Sequence, residues 1–291
     1  MAPGKGRLWP VDDQGYIQND ASPEQIAPQF KGIIRDIVAA YVDNIGEDIH
    51  SIYLTGSVAR GRAIVGESDI DAFAVLEYTV DPDLVSQDWI ESTEERLNGL
   101  HDAVSDVQLE LWPQSWIFRE PGEFSIFAFI LKTHSVCLWG VDLTPELPDY
   151  RVPAVLPAIA NDDIIQIKPD IEEAVEEIQA DTSPENVVYW CRRISKNMLR
   201  AGYGLVMLDV GGHTRDSDLC YQYFAEGYPE QAEQMRRALT YATQPTTNPG
   251  EILDFLDRFG TWLITQADRW LAGHNPARHL DYRFDTYEAE D

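Results

Sequence analysis

Lysine, cysteine and long apolar runs are all scarce in this chain, and each scarcity excludes something. Five lysines (Lys5, Lys31, Lys132, Lys168 and Lys196) stand among 291 residues, and 22 basic side chains face 50 acidic ones, for a formal charge of −28. Affinity for a nucleic-acid backbone rests on Lys and Arg displacing counterions, so this balance argues against nucleic acid as the partner. It suits a cationic acceptor and divalent metals, and it equally suits a chain that charge merely keeps in solution. The charge is no tail: residues 1–145 carry 24 acidic and 9 basic side chains, and residues 146–291 carry 26 and 13. The three cysteines, Cys137, Cys191 and Cys220, have neither disulfide-scaffold nor zinc spacing, which points to a reducing cytoplasm. No apolar run approaches the roughly 18 residues that cross a bilayer. The opening MAPGKGRLWPVDDQG has no apolar core, so neither a signal peptide nor a membrane is expected.

What is present suffices for two packed cores. Hydrophobic residues make up 44% and aromatics 11% of a chain long for one domain. Ser22-Pro23-Glu24-Gln25 reads as a capping box opening a helix through Ile33, Ile34, Ile37, Val38 and Tyr41. Strands are predicted at 50–54 and 70–76, a helix at 85–100, and a third strand from Val104 to Trp112. That strand alternates, with Asp106, Gln108 and Glu110 on one face and Val107, Leu109 and Leu111 on the other. After Pro113 the strand signals fade. Residues 121–136 read as helix and the Pro-rich 141–161 as a linker. Helices are then expected over 169–180, 184–207, 229–243 and 250–272, with the tail from Pro276 unassigned. The outline is an α+β domain, 1–145, followed by a helical bundle domain, 146–291.

The chemistry sits in Leu54-Thr55-Gly56-Ser57-Val58-Ala59-Arg60-Gly61-Arg62 and in Ser68-Asp69-Ile70-Asp71. A strand ending in Gly-Ser lets backbone approach a ligand at Gly56, and N–H groups of the following turn with the Ser57 hydroxyl suit phosphate oxygens. Period-2 alternation puts Asp69 and Asp71 on one face, where two carboxylates repel unless a cation lies between them. Hard oxygen ligands favour Mg²⁺, with Mn²⁺ an alternative. Asp106 adds a carboxylate from a separate strand, either as a ligand in a two-ion site or as the base for an acceptor hydroxyl; Glu110, on the same face, is the other candidate. Arg193, Lys196 and Arg200 follow i, i+3, i+7 spacing on one helix face, a stripe suited to phosphates. Arg60 reads either as a phosphate contact or as a partner for an acidic neighbour. His213-Thr214-Arg215-Asp216, after Gly211-Gly212, is a loop that can line an acceptor pocket.

Gly56-Ser57-x-x-Arg60-Gly61 with Ser68-Asp69-Ile70-Asp71 resembles the signature of the DNA polymerase β nucleotidyltransferase superfamily. Ser105 to Leu111 is similar to that superfamily's third-carboxylate strand, with Asp106 in the matching place. The likeness covers about 55 residues, and the gap between its two parts is one residue longer than usual. It implies a mixed-sheet nucleotidyltransferase domain, with Asp69, Asp71 and Asp106 as catalytic and metal-binding residues and Gly56, Ser57, Arg60 and Ser68 against the nucleotide. Residues 124–141 and 186–200 resemble the helical half of streptomycin/spectinomycin adenylyltransferases. In those enzymes nucleotide and acceptor lie between two domains, and basic residues of the second, here Arg193 and Lys196, contact phosphates.

Three functions compete on this reading. The first is transfer of a nucleoside monophosphate, AMP from ATP, to a hydroxyl of a small cationic acceptor such as an aminoglycoside-like compound. The second keeps the chemistry with an RNA or protein acceptor. The third is a non-catalytic module of the antitoxin type, against which the appended helical region and the retained carboxylates both count.

Overall fold

A computed structural model describes residues 7–119 and 124–278. They divide between Tyr150 and Arg151 into two compact units, residues 10–150 and residues 151–278, the second also taking in residues 7–9. The tail beyond 278 lies outside the described residues.

The first unit is built on a four-stranded mixed sheet. Its helices and strands are α1 (Lys31–Ile45), β1 (Ile49–Thr55), α2 (Gly56–Ala59), β2 (Ile70–Leu76), α3 (Trp89–Leu100), β3 (Val107–Trp112), α4 (Gln114–Ile117), α5 (Ile126–His134) and β4 (Val136–Gly140). The sheet order is β3-β2-β1-β4, with β1 antiparallel to both neighbours and β2 parallel to β3. A parallel pair needs a crossover, and α3 supplies it.

Alternation sorts the strand side chains onto two faces. Ile52, Leu54, Ala72, Ala74, Val107 and Leu109 pack with Ile33, Ile37 and Leu97. Tyr53, Phe73, Val75 and Trp112 pack with Ala128 and Leu131 of α5. Tyr41, on α1, reaches the β2–β3 seam, where its hydroxyl donates to the carbonyls of Ala72 (2.9 Å) and Glu110 (3.0 Å). Burial holds that phenol well above the ordinary tyrosine pKa.

Three expectations for this unit change. The first helix starts at Lys31 rather than after Ser22, because Pro28 forces Ala27 into an extended conformation and splits the approach into two 3-10 turns. Ser22 makes no side-chain cap bond. The helix expected over 121–136 narrows to Ile126–His134, with 120–123 outside the described residues. It gives way to β4, which the sequence reading missed: Val136-Cys137-Leu138-Trp139-Gly140 lacks alternation because it is a short edge strand against β1.

The second unit is helical, comprising α6 (Val152–Ala180), α7 (Pro184–Val210), α8 (Ser217–Gly227), α9 (Ala232–Thr243), α10 (Pro249–Phe255) and α11 (Thr261–His274). One π turn, Leu256–Gly260, joins the last two. Of the Pro-rich stretch 141–161 read as a linker, Thr144–Glu146 is a 3-10 turn and residues 152–161 form the first part of α6. Pro153 sits in its first turn, where no N–H is needed, while Pro157 and Pro169 lie inside. The helix survives them because Val155, Leu156, Ile159, Ile164, Ile167, Ile171 and Ile178 are all buried along it. α7 opens on Ser183, whose hydroxyl accepts from Asn186 N, and ends on Gly211 in the left-handed region. Gly204 lets it close on α6, since a Cβ there would stand 3.1 Å from Ile164. α8 falls in a stretch for which no element was expected.

Candidate active site

β1 delivers the chain to Gly56, whose φ of +78° favours glycine, and a Cβ there would stand 2.6 Å from Asp71 Oδ2. The following helix, α2, is a single turn. Its donors are therefore local peptide N–H groups rather than the end of a long dipole. Arg60 N and Arg62 N donate to the Gly56 and Ser57 carbonyls at 3.3 and 2.9 Å, closing the turn. Ser57 Oγ is buried and has no hydrogen-bond partner among the described residues. A buried hydroxyl without a partner is rare, and a phosphate oxygen is one group able to supply the missing bond.

The carboxylates are arranged by strand register. Ile70 pairs with Val107 and Asp71 with Gln108, and Ile70 N donates to Asp106 O at 2.9 Å. Asp69 and Asp106 immediately precede that first pair, at the entrances to β2 and β3. Glu110 pairs opposite Phe73, further into the sheet, and its Oε2 accepts from Trp112 Nε1 at 2.7 Å. Asp106 accepts from two amides, Asn98 Nδ2 at Oδ1 and Gln108 Nε2 at Oδ2, each at 3.2 Å. Neither Asn98 nor Gln108 carries a signal in the sequence, because the first comes from α3 and only the fold brings it here. On the same helix Glu94 accepts from Leu109 N. Burial holds its pKa up, with the charges of Asp106, Glu91 and Glu110 adding to the effect.

The other sequence candidates fall into two groups. Ser68 Oγ accepts from Ile64 N at 2.9 Å, and its carbonyl accepts from Ser105 N, so these bonds brace the loop between the turn and β2. Arg60 is 9% exposed, with Nε donating to Gly56 O at 3.3 Å and Nη1 lying 3.9 Å from the buried Asp20 carboxylate. Arg62 Nη2 approaches the same carboxylate at 3.4 Å. Arg60 thus has both an acidic neighbour and the Gly56 carbonyl against its guanidinium.

Arg193 and Lys196 belong to the second unit, on α7. Arg193 is exposed, donates to Tyr189 Oη at 3.1 Å and lies over the Trp190 ring at 5.5 Å. His213 and Thr214 are buried, with His213 stacked on Trp9, so these two side chains are core rather than pocket lining. Arg215 pairs with Asp163 at 3.0 Å.

Asp69, Asp71 and Asp106 offer oxygen donors alone, the set a hard divalent cation takes. Among the described residues no three His, Cys, Asp or Glu side chains are gathered closely enough to hold an ion. Among the described residues no helix is long and apolar enough to cross a membrane.

Residues 34–128 match the family model described as a nucleotidyltransferase domain. No curated protein matches the chain. Among solved structures it is similar to a spectinomycin adenyltransferase, AAD(9), from Enterococcus faecialis, solved with ATP and spectinomycin. Sequence identity is 15% and the TM-score 0.46, over 81% of this chain and 98% of that one.

Proposed function

We propose that this chain, whose residues 34–128 match a nucleotidyltransferase domain, transfers a nucleoside monophosphate, AMP from ATP, to a hydroxyl of a small cationic acceptor. One observation supports the reading: Asp71 Oδ2 fills the space beside Gly56 that a Cβ would take, and Asp69 and Asp106 immediately precede the paired residues Ile70 and Val107. In-line displacement at the α-phosphorus asks a protein mainly for positioning and charge neutralisation. The turn supplies backbone N–H groups and the Ser57 hydroxyl to the phosphates. Asp69, Asp71 and Asp106 would hold Mg²⁺, which would supply neutralisation of the charge on the triphosphate and on the leaving pyrophosphate. Asp106 accepts the acceptor hydroxyl's proton, since its carboxylate is the one that amides already orient. The acceptor oxygen bonds to the α-phosphorus as the bridging oxygen to the β-phosphate departs, giving the adenylylated acceptor and pyrophosphate. The −28 charge favours a cationic acceptor over RNA.

The test is incubation with α-labelled ATP and Mg²⁺ against aminoglycosides, tRNA and protein, beside Asp106→Asn. Label on an aminoglycoside, lost at least about a hundredfold in the variant, is expected for a proton acceptor of this kind. Label on tRNA or protein instead moves the acceptor; no label and no ATP binding ends the catalytic reading.

A further inference from the structure

We propose that Asp20 is a positioning residue for the Gly56–Ser57 turn, acting through Arg60; this rests on reading that turn as the triphosphate site. Asp20 is 3% exposed and lies 36 residues before the turn, with no motif to mark it. Its carboxylate faces two guanidiniums, Arg62 Nη2 at 3.4 Å and Arg60 Nη1 at 3.9 Å. Burying such a group is unfavourable by itself, and packing alone would be served better by an apolar side chain. What the acid adds is direction.

Arg60 Nε donates to Gly56 O at 3.3 Å, the carbonyl that Arg60 N also reaches at 3.3 Å. The peptide between Gly56 and Ser57 is planar and trans, so fixing that carbonyl fixes the Ser57 N–H on the opposite side. Asp20 holds the guanidinium, the guanidinium holds the carbonyl, and the carbonyl aims the N–H. The segment carrying Asp20 is itself anchored. Asp20 N donates to Thr133 O at 3.1 Å, and Ser22 N donates to Ala59 O, inside the turn, at 3.2 Å. Gly61, at φ +66°, lies so close to Gln25 O that a Cβ would stand 2.8 Å away.

A simple charge argument predicts the opposite of this proposal, which makes the two separable. Asp20→Asn removes a negative charge beside two arginines, and the field alone would then tighten binding of a triphosphate. Loss of positioning loosens it instead. The measurements are Kd of Mg·ATP by calorimetry, KM and kcat, for the wild-type chain, Asp20→Asn, Arg60→Lys and the double variant. The expected result is weakening of Mg·ATP binding by about tenfold or more in Asp20→Asn, since misplacement of a binding group by an ångström costs on that scale or beyond. KM for ATP should rise by a larger factor than kcat falls. Arg60→Lys keeps the charge but cannot place a planar N–H on Gly56 O, and should weaken binding similarly. The double variant should be no weaker than the worse single one, because both act along one path. ATP binding as tight as wild type, or tighter, in a folded Asp20→Asn overturns the proposal. Should that variant fail to fold, Arg60→Lys decides alone, and unchanged affinity there overturns it. A wild-type chain that binds no ATP sinks the reading of the turn itself, a result visible before any variant is made.

Discussion

Gly56 is held by two independent constraints, a left-handed φ and the Asp71 carboxylate standing where a Cβ would go. Gly56→Ala meets both, with an expected loss of about 1–3 kcal/mol in urea unfolding, the range for a strained non-glycine residue. Nucleotidyl transfer should fall further than that loss explains, because the strain is relieved by moving Asp71 or the turn. An alanine variant with wild-type activity would remove the turn from the site. In the second unit, Asp162 carries a different residue-scale consequence. Burial, then the charges of Asp163 and Asp170, raise its pKa from 3.8 to about 6, with Arg215 opposing. A carboxyl whose folded pKa lies above its unfolded value binds more protons when folded, so its contribution to stability grows as pH falls from above 6 towards 4. The expected result is that Asp162→Asn lessens the gain in unfolding midpoint between pH 7 and pH 5, read against wild type so that the general loss of acidic repulsion cancels. Equal gains would show that Asp162 does not titrate in that window.

At the scale of elements, what the sequence made legible follows from where each signal lay. The strand-turn-strand around Gly56 and Asp71, and the alternation from Val107 to Trp112, are local patterns, and the fold realises them. Two misread elements turn on prolines, one where the local breaker wins and one where tertiary burial overrides it. Pro28 delays α1, which apolar spacing alone extends too early. Pro157 and Pro169 leave α6 intact, because its buried isoleucines offset the lost backbone bonds. Within the candidate site, Asp69, Asp71 and Ser57 were readable, whereas Asn98 and Asp20 were not, since only the fold brings α3 and the 16–27 segment to them. Two measurements belong here. Pro169 is exposed, so Pro169→Ala restores a helix N–H without removing packing. A gain of about 1–2 kcal/mol is expected, less than the full helix penalty because the unfolded chain also gains freedom. No gain would mean that the helix uses its break. Tyr41→Phe deprives two buried carbonyls of one donor across the β2–β3 seam, and a loss of about 1–3 kcal/mol is expected from denaturant unfolding.

For the whole molecule the governing quantity is 50 acidic against 22 basic side chains. Several of the ion pairs are exposed i, i+3 or i, i+4 helix pairs, such as Arg258–Asp254 and Lys168–Glu172, which contribute little and are weakened by salt. Long-range repulsion among the excess carboxylates acts the other way, opposing compaction and fading as salt screens it. Which wins depends on number. An excess of 28 negative charges, distributed over both halves of the sequence, outweighs a few exposed pairs of each less than about 1 kcal/mol. The thermal midpoint should therefore rise as NaCl increases from about 0.1 to about 1 M, over which the Debye length shrinks from about 10 to about 3 Å. A chain stabilised chiefly by its ion pairs would lose midpoint over the same range, so the sign of the slope decides between them. The same field bears on the acceptor. Screening should weaken capture of a cationic acceptor while leaving the chemical step untouched, so KM for the acceptor should rise with NaCl at nearly constant kcat. An acceptor KM that falls with salt would mean that the acceptor is itself anionic, and the cationic assignment would then be wrong.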